Sequence, residues 1–168
     1  MPLTLRPFDT KDEEAAVAAH MALASEGYTT FLLGYQPELP WLNWLAHIEH
    51  YRVGADLPQD RVRADFLAVE VGGELVGRVS IRFALNDWLA REGGHIGYAV
   101  LPPFRRKGCA TEMLRQAVDL AHHGSVDRLL VICDEGNLGS ATVIERCGGV
   151  LEGAAINENG TPIRRYWI

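Results

Sequence analysis

The segment that most constrains the fold runs from residue 95 to residue 121. There a short strand pattern, a basic loop and an amphipathic helix follow one another directly. Residues 95–101 have the pattern of a strand, and the loop after them reads PPFRRKG. Apolar residues then recur on one face of a predicted helix: Ala110, Met113, Leu114, Ala117 and Ala121. This succession predicts an α/β protein in which a helix begins close to the end of a strand.

The N-terminal part of the chain predicts one strand and two helices. Residues 3–6 alternate like a strand, and residues 10–13 (TKDE) have the pattern of a capping box that opens an alanine-rich helix to about Ala24. Pro37 and Pro40 interrupt the region that follows. A second helix then carries an apolar stripe at helical spacing: Trp41, Trp44, Leu45, Ile48 and Tyr51.

The rest of the chain predicts further strands and one more helix. Residues 66–71 and 74–83 are strand-like and joined by a Gly-Gly turn, which is a hairpin signal. Residues 129–133 (LLVIC) form the continuous apolar run typical of a strand that is covered on both faces. A helix is predicted at about residues 137–147, followed by a closing hairpin around the Asn-Gly pair near residue 160. Together these elements predict a mixed α/β sheet with helices on its faces, in a single domain of residues 1–168.

Composition excludes several classes of protein. The 168 residues are 48% hydrophobic and 23% charged, which are ordinary values for one globular domain. No apolar run approaches the ~18 residues of a membrane-spanning helix. The N-terminus also lacks a basic region followed by an apolar run, so we expect no membrane partner and a cytoplasmic location.

The net charge and the spacing of the cysteines limit the kinds of ligand and partner that we expect. The net charge of −6 argues against a nucleic-acid partner and agrees with a cationic small-molecule or peptide substrate. Cys109, Cys133 and Cys147 are widely separated, with no Cys-x-x-Cys pair and no histidine at ligand spacing. We therefore expect reduced thiols and no metal site.

The basic loop has the chemistry of an anion site. Arg105, Arg106 and Lys107 are adjacent cations, and Gly108 removes a side chain so that an anion can approach the backbone. The helix that follows offers unpaired amide groups and the positive end of its dipole. These features predict a cradle for a diphosphate, and the alternative is a solvated basic turn. Neither the P-loop pattern nor the dinucleotide-binding pattern Gly-x-Gly-x-x-Gly is present.

The loop RRKGCA matches the short signature Arg/Gln-x-x-Gly-x-Gly/Ala of the GNAT superfamily at Arg105, Gly108 and Ala110. A strand and Asn137-x-x-Ser140 follow at the expected distance. The segments GGHIGYAVLPPFRRKGCATEML, NLGSATVIERCGG and RRYWI resemble a branch of predicted GNAT acetyltransferases. The resemblance covers the whole element order and is strongest over residues 94–149. It implies a mostly antiparallel sheet of about seven strands, with helices on both faces and a splayed central strand pair.

The resemblance also implies an N-acetyltransferase that moves the acetyl group of acetyl-CoA to an amine by direct transfer in a ternary complex. Backbone groups of residues 98–101 would pair with the pantetheine arm, and the amide near Val100 would polarise the thioester carbonyl. The implied CoA contacts are Val100, Leu101, Arg105, Arg106, Lys107, Gly108, Cys109, Ala110, Thr111, Asn137 and Ser140. A helix N-cap is an additional or alternative role for Asn137.

The sequence departs from the family pattern at the proton donor. The tyrosine that many relatives carry four residues after the serine is Ile144 here, and Gly149 stands in place of a usual aromatic residue. Tyr98, Tyr166 or a water molecule are the alternative donors.

The sequence also leaves several candidates for the general base. An amine with a pKa of about 10.4 must lose a proton before it attacks. His95 and Tyr98 are the candidate catalytic side chains, and being three residues apart they point to opposite faces of a regular strand. Asp134 and Glu135, at the end of the next strand, are alternative bases.

By the same resemblance, the first two helices and the loop between them form the acceptor side. This region is rich in aromatic residues: Tyr28, Phe31, Tyr35, Trp41 and Trp44. Tyr35 is the substrate-contact candidate because Trp41 and Trp44 lie on the apolar helix stripe. The acceptor is expected to be a small-molecule or peptide amine, and a homodimer through edge strands of the tail is a further hypothesis.

Three other functions stay open. The missing tyrosine at Ile144 is also compatible with a non-catalytic acyl-CoA-binding or sensing module. An acyltransferase for a longer acyl-CoA would share the same loop. An unrelated α/β interaction domain would carry the basic loop without binding a ligand.

Overall fold

The element order confirms the predicted succession of strands and helices. The computed structural model describes residues 2–168. In chain order the elements are β1 (Leu3–Pro7), α1 (Glu13–Ser25), α2 (Trp41–Val53), β2 (Ala64–Val71), β3 (Glu74–Arg82), β4 (Ile96–Val100), α3 (Cys109–His123), β5 (Leu130–Asp134), α4 (Leu138–Arg146), β6 (Val150–Ile156) and β7 (Pro162–Trp167). Short helical turns lie at Thr10–Asp12, Leu89–Gly93 and Pro102–Phe104.

The capping box before α1 lies one residue earlier than the sequence predicts. Asp9, in an extended conformation, accepts a hydrogen bond from the amide of Lys11 at 2.9 Å, and the Asp12 carboxylate accepts one from the amide of Asp9 at 2.9 Å. The predicted box at residues 10–13 is therefore wrong. Aspartate at both positions satisfies the first amide groups of the turn, which a threonine–glutamate pair one residue later does not reach.

Seven strands form two antiparallel groups. The first has the order β1-β2-β3-β4 and the second the order β5-β7-β6. The two groups meet where the His95 amide donates to the Leu130 carbonyl at 2.7 Å. The Leu130 amide then donates to Nδ1 of His95 at 2.9 Å instead of to a carbonyl, and no ladder joins β4 to β5 beyond this point. This confirms the mixed α/β fold with a splayed central strand pair.

Apolar clusters cover both faces of the sheet. On one face α3 and α4 pack against the central strands, and the predicted stripe of α3 is fully buried at Met113, Leu114, Ala117 and Ala121. On the other face α1 and α2 contribute a second cluster that includes Trp41 and Trp44. Helices therefore lie on both faces, as predicted. No helix among residues 2–168 has the length and hydropathy needed to cross a bilayer.

Candidate active site

A cleft of about 810 Å³ opens where β4 and β5 separate, between β4 and the first turns of α3 and α4. Nine of the residues named from the sequence line it: Tyr98, Val100, Arg105, Arg106, Gly108, Ala110, Thr111, Asn137 and Ser140. Tyr28, from the aromatic acceptor side, and Ala99, within residues 98–101, line it as well, whereas sequence reasoning missed Leu23, Phe104 and Arg146. The cleft thus joins the basic loop to the end of α1.

The backbone of β4 turns hydrogen-bonding groups toward this cleft. The Arg82 amide donates to the His95 carbonyl at 2.7 Å, and the Leu101 amide donates to the Val76 carbonyl at 2.9 Å. In an antiparallel ladder alternate residues bond to the same neighbour, so the odd-numbered residues 97–101 face β3, and His95 bonds to it through its carbonyl alone. Tyr98 and Val100 therefore direct their amides and carbonyls to the opposite edge, where no strand pairs with them.

The start of α3 forms the other half of the cleft. Gly108 has φ +85, in the left-handed region that favours glycine, and a Cβ built there would meet no atom within 4 Å. No side chain caps this helix. The first amide groups of a 15-residue helix, together with the positive end of its dipole, therefore face open space. This arrangement fits a diphosphate group bound against the backbone.

The cations of the loop are not equivalent. Arg105 lines the cleft, but its Nη2 donates to the Glu26 carboxylate at 2.8 Å and its Nε donates to the Val100 carbonyl at 3.1 Å. Lys107 lies outside the cleft lining, with Nζ 5.7 Å from the centre of the Phe104 ring.

Arg106 and Arg146 are the remaining cations that line the cleft. Arg106 belongs to the motif, but Arg146 does not. It lies in the last turn of α4, and no sequence signal distinguishes it from other exposed arginines. The positive charge of the site therefore comes partly from a residue outside the signature.

Tyr98 reaches across the cleft to α4. Its hydroxyl lies 3.0 Å from Oγ of Ser140, and the Ser140 amide donates to Oδ1 of Asn137 at 3.0 Å, so Asn137 acts as the N-cap of α4. Burial raises the pKa of Tyr98 to about 12, although the Ser140 contact opposes the shift. Tyr98 is therefore protonated near neutral pH. Ile144, one turn after Ser140, is fully buried and brings no polar group to the cleft.

Five residues named from the sequence do not line the cleft: His95, Leu101, Lys107, Cys109 and Tyr35. The amide of Leu101 is bonded to β3, and Tyr35 packs against His20 with ring centres 5.6 Å apart. His95 is buried, with Nδ1 occupied by the Leu130 amide, and burial and the nearby Arg82 charge lower its pKa. Its geometry is that of a structural hydrogen-bond acceptor.

The remaining alternatives also lie outside the lining. Tyr166 is fully buried and donates to the Glu145 carboxylate at 3.1 Å. Asp134 and Glu135 are exposed at the end of β5, and neither lines the cleft. Tyr98 is thus the one candidate proton-transfer group named from the sequence that the structure brings into the cleft.

Comparison with known proteins agrees with this geometry. A family profile described as an acetyltransferase (GNAT) domain matches residues 2–150. A search of curated proteins finds no match.

Solved structures with a similar fold include proteins described as acetyltransferases. One, described as a probable acetyltransferase, has a TM-score of 0.72 at 19% identity, with 99% of this chain and 92% of that chain covered. RimJ from Mycobacterium smegmatis, in complex with CoA-disulfide, has a TM-score of 0.71 at 19% identity, with 99% and 81% covered. The microcin C7 self-immunity acetyltransferase MccE, in complex with acetyl-CoA and AMP, has a TM-score of 0.66 at 21% identity, with 99% and 91% covered.

Proposed function

The chain belongs to the GNAT acetyltransferase family, and from this premise we propose that it binds acetyl-CoA in the cleft between β4 and α3 and transfers the acetyl group directly to an amine. The proposal rests on one observation: two stretches of backbone with unpaired hydrogen-bonding groups line the same cleft. One is the free edge of β4 at Tyr98 and Val100, and the other is the uncapped start of α3 at Gly108.

These two surfaces match the two polar parts of CoA. The amides at the start of α3 and the side chains of Arg106 and Arg146 would hold the diphosphate. The free amides of Tyr98 and Val100 and the free carbonyl of Tyr98 would pair with the amides of the pantetheine arm, as an added strand does. Arg105 would act indirectly, because it ties the end of β4 to Glu26 of the α1 turn.

Acetyl-CoA supplies an activated acetyl group as a thioester when it is bound. The Val100 amide then donates a hydrogen bond where negative charge develops on the carbonyl oxygen, a role worth on the order of 10²–10³ in rate. As the carbon–nitrogen bond forms and the carbon–sulfur bond breaks, Tyr98 passes its phenolic proton to the departing sulfur. The Ser140 hydroxyl holds the phenol in position.

The proton on the acceptor nitrogen needs a separate route. No Asp, Glu or His side chain lines the cleft among residues 2–168. The proposal therefore assigns removal of this proton to water rather than to His95, whose Nδ1 already accepts a hydrogen bond. Water returns a proton to the Tyr98 phenolate, which restores the donor for the next turnover. No side chain is assigned as a covalent nucleophile, since Cys109 lies outside the lining and Cys133 and Cys147 do not line it either.

Acetyl-CoA binding and turnover test the proposal together. Titration calorimetry should detect acetyl-CoA binding, and a thiol-release assay should detect turnover with members of a panel of amino acids, peptides, polyamines and aminoglycosides. Intact-protein mass spectrometry without an amine should find no acetylated protein. Propionyl-CoA and butyryl-CoA in the same assay define acyl length. Absence of acetyl-CoA binding, or an acetylated protein that an amine discharges, overturns the proposal.

A further inference from the structure

Two arginines lie side by side on the face of β3 that turns away from α3. We call Arg78 and Arg82 the β3 arginine pair. They alternate with Val79 and Ile81, which pack against the α3 side of the sheet. Arg78 is only 5% exposed, and Arg82 is partly buried. Arg78 is thus held in an interior layer between the sheet and the segment that joins α1 to α2, and Arg82 lies beside the turn that precedes β4.

Arg78 has only neutral partners. Its Nη2 donates to the Tyr28 hydroxyl at 2.7 Å and to the Thr30 carbonyl at 2.7 Å, and its Nη1 donates to Oγ of Ser80 at 3.0 Å. Its Nε is buried and has no hydrogen-bond partner. A buried charge is normally paired with an opposite charge, because desolvation otherwise disfavours it strongly. Arg78 lacks such a partner within residues 2–168.

Arg82 is in the same situation. Its Nη1 donates to the carbonyls of Gly93 and Gly94 at 3.1 Å and 3.3 Å. No carboxylate lies within 4.0 Å of either arginine in the part of the chain that the structure describes. Burial and the neighbouring charge of Arg78 lower the pKa of Arg82 to about 10, so it keeps its charge near neutral pH.

The arginine pair borders the cleft on its α1 side. A Cβ built on Gly97 would lie 3.6 Å and 3.7 Å from Nη1 and Nη2 of Arg82, so this guanidinium lies over the backbone of β4. Ala99, two residues or roughly 7 Å further along the same face, lines the cleft. Tyr28, which accepts the hydrogen bond from Arg78, lines it too. The absence of a side chain at Gly97 therefore lets the Arg82 guanidinium lie against the backbone of β4, and the pair lies directly behind the lining residues Tyr28 and Ala99.

We propose that the β3 arginine pair binds an oxyanion, a carboxylate or a phosphate, carried by the amine that accepts the acetyl group. The inference rests on the proposed function and narrows its substrate to anionic amines such as amino acids. The missing counter-charge of the pair is then supplied by the acceptor. A polyamine has no such group, and no acidic residue lines the cleft among residues 2–168 to bind its positive charge.

Binding of acetylated products in the presence of CoA tests this preference without turnover. Calorimetry compares each anionic ligand with a neutral counterpart of the same length: N-acetylglycine, N-acetyl-β-alanine and N-acetyl-γ-aminobutyrate with their primary amides, and N-acetylethanolamine phosphate with N-acetylethanolamine. N-acetylputrescine serves as the cationic ligand. We expect at least one anionic ligand to bind tenfold or more tightly than its neutral counterpart. Equal affinity within every pair, no binding of any anion, or tightest binding of N-acetylputrescine overturns the inference.

Substitutions of Arg78 and Arg82 test whether these two side chains form the anion site. Arg82→Gln should remove the tenfold preference while CoA affinity stays unchanged, and Arg82→Lys should retain part of it. Arg52→Gln is the matched control, because Arg52 is exposed on α2 and pairs with Glu49. If Arg82→Gln fails to bind CoA through misfolding, Arg82→Lys and Arg78→Lys supply the comparison. A preference that stays undiminished in all folded variants of the pair overturns the assignment.

The two proposals fail separately. Loss of acetyl transfer with every amine, while the CoA complex still prefers anionic ligands, overturns the proposed function alone. Acetyl transfer to amines regardless of their charge leaves the proposed function intact and overturns the anion site.

Discussion

The Tyr98 hydroxyl and the Ser140 hydroxyl lie 3.0 Å apart across the cleft. This contact joins β4 to the first turn of α4. The sequence resemblance implies a tyrosine one turn later on this helix, but that position is the buried Ile144, and Tyr98 is the phenol that lines the cleft. Because burial raises the pKa of Tyr98 to about 12, the phenol carries its proton at neutral pH and is therefore available as a donor and not as a base.

Replacing Tyr98 by phenylalanine should lower kcat by about 10²-fold, since a positioned proton donor contributes on the order of 10²–10⁴. The dissociation constant of acetyl-CoA should change little, because the backbone of β4 is retained. Thiol release at saturating acceptor measures the first quantity, and calorimetry measures the second. Tyr51→Phe on α2 is the control, since Tyr51 lies outside the cleft lining. An unchanged kcat in Tyr98→Phe would remove Tyr98 from the mechanism.

The same tyrosine should affect stability at alkaline pH. The folded protein holds the Tyr98 proton up to a pKa of about 12, whereas the unfolded chain releases it near 10. The resulting contribution to folding is fully present below pH 10 and is lost as the pH rises toward 12. Tyr98→Phe should therefore lose less stability than the wild type across this interval in urea unfolding. Parallel losses would show that the phenol is not buried in solution.

Gly108 should be required for acetyl-CoA affinity beyond its effect on stability. A methyl group there points into the open space where the diphosphate would lie, and the left-handed φ of +85 makes alanine strained by roughly 1–2 kcal/mol. We expect Gly108→Ala to bind acetyl-CoA at least tenfold more weakly, as calorimetry would measure.

Gly73 provides a matched control for this substitution. It has φ +86, its Cβ would also meet nothing within 4 Å, and it lies in the turn between β2 and β3. Gly73→Ala should show a similar loss of unfolding free energy and no loss of affinity. Equal affinities for the two variants would contradict the placement of the diphosphate at α3.

Much of the cleft was predictable because its chemistry is local in sequence. The residues at the start of α3 and the Asn137–Ser140 pair each lie within a few positions of one another, so spacing alone identifies them. Spacing also shows that His95 and Tyr98 point to opposite faces. Spacing does not show that the His95 side chain accepts the Leu130 amide at the point where β4 and β5 separate, because that contact comes from a strand 35 residues away.

The β3 arginine pair was not predictable for the same reason. In the sequence GRVSIR the arginines alternate with apolar residues, which is the pattern of a strand with one solvated face. The segment after α1 contacts Arg78 through Tyr28 and Thr30. Burial by a segment 48 residues distant leaves no mark in the local pattern.

His95→Ala should reduce stability without altering the pH dependence of transfer. The substitution leaves the buried Leu130 amide without its acceptor, and an unsatisfied buried donor costs about 1–3 kcal/mol. Urea unfolding measures this loss, and kcat/KM between pH 6 and pH 9 tests the role of His95 as a base. A stable variant whose kcat/KM falls sharply and loses its acidic limb would restore His95 as the general base.

The ion pair that anchors the start of α1 should control acid stability. Asp12 is 4% exposed and accepts hydrogen bonds from Nη1 and Nη2 of Arg6, both at 2.7 Å. Burial raises the pKa of Asp12, but the hydrogen bonds from Arg6 and the Asp9 amide and the Arg6 charge outweigh it, so the pKa is lowered. The contribution to folding is therefore present above the unfolded pKa of about 3.9 and is lost as the pH falls below it.

Asp12→Ala should lower the unfolding free energy at pH 7 by about 2–3 kcal/mol, less than the ~3–5 kcal/mol of a fully buried pair because Arg6 keeps 19% exposure. The variant should also lose less stability than the wild type between pH 5 and pH 2. Asp60→Ala is the control, since Asp60 is 76% exposed and an exposed pair contributes about 0–1 kcal/mol. Acid unfolding curves that coincide for wild type and Asp12→Ala would mean that the Arg6 contact does not hold the carboxylate in its charged form.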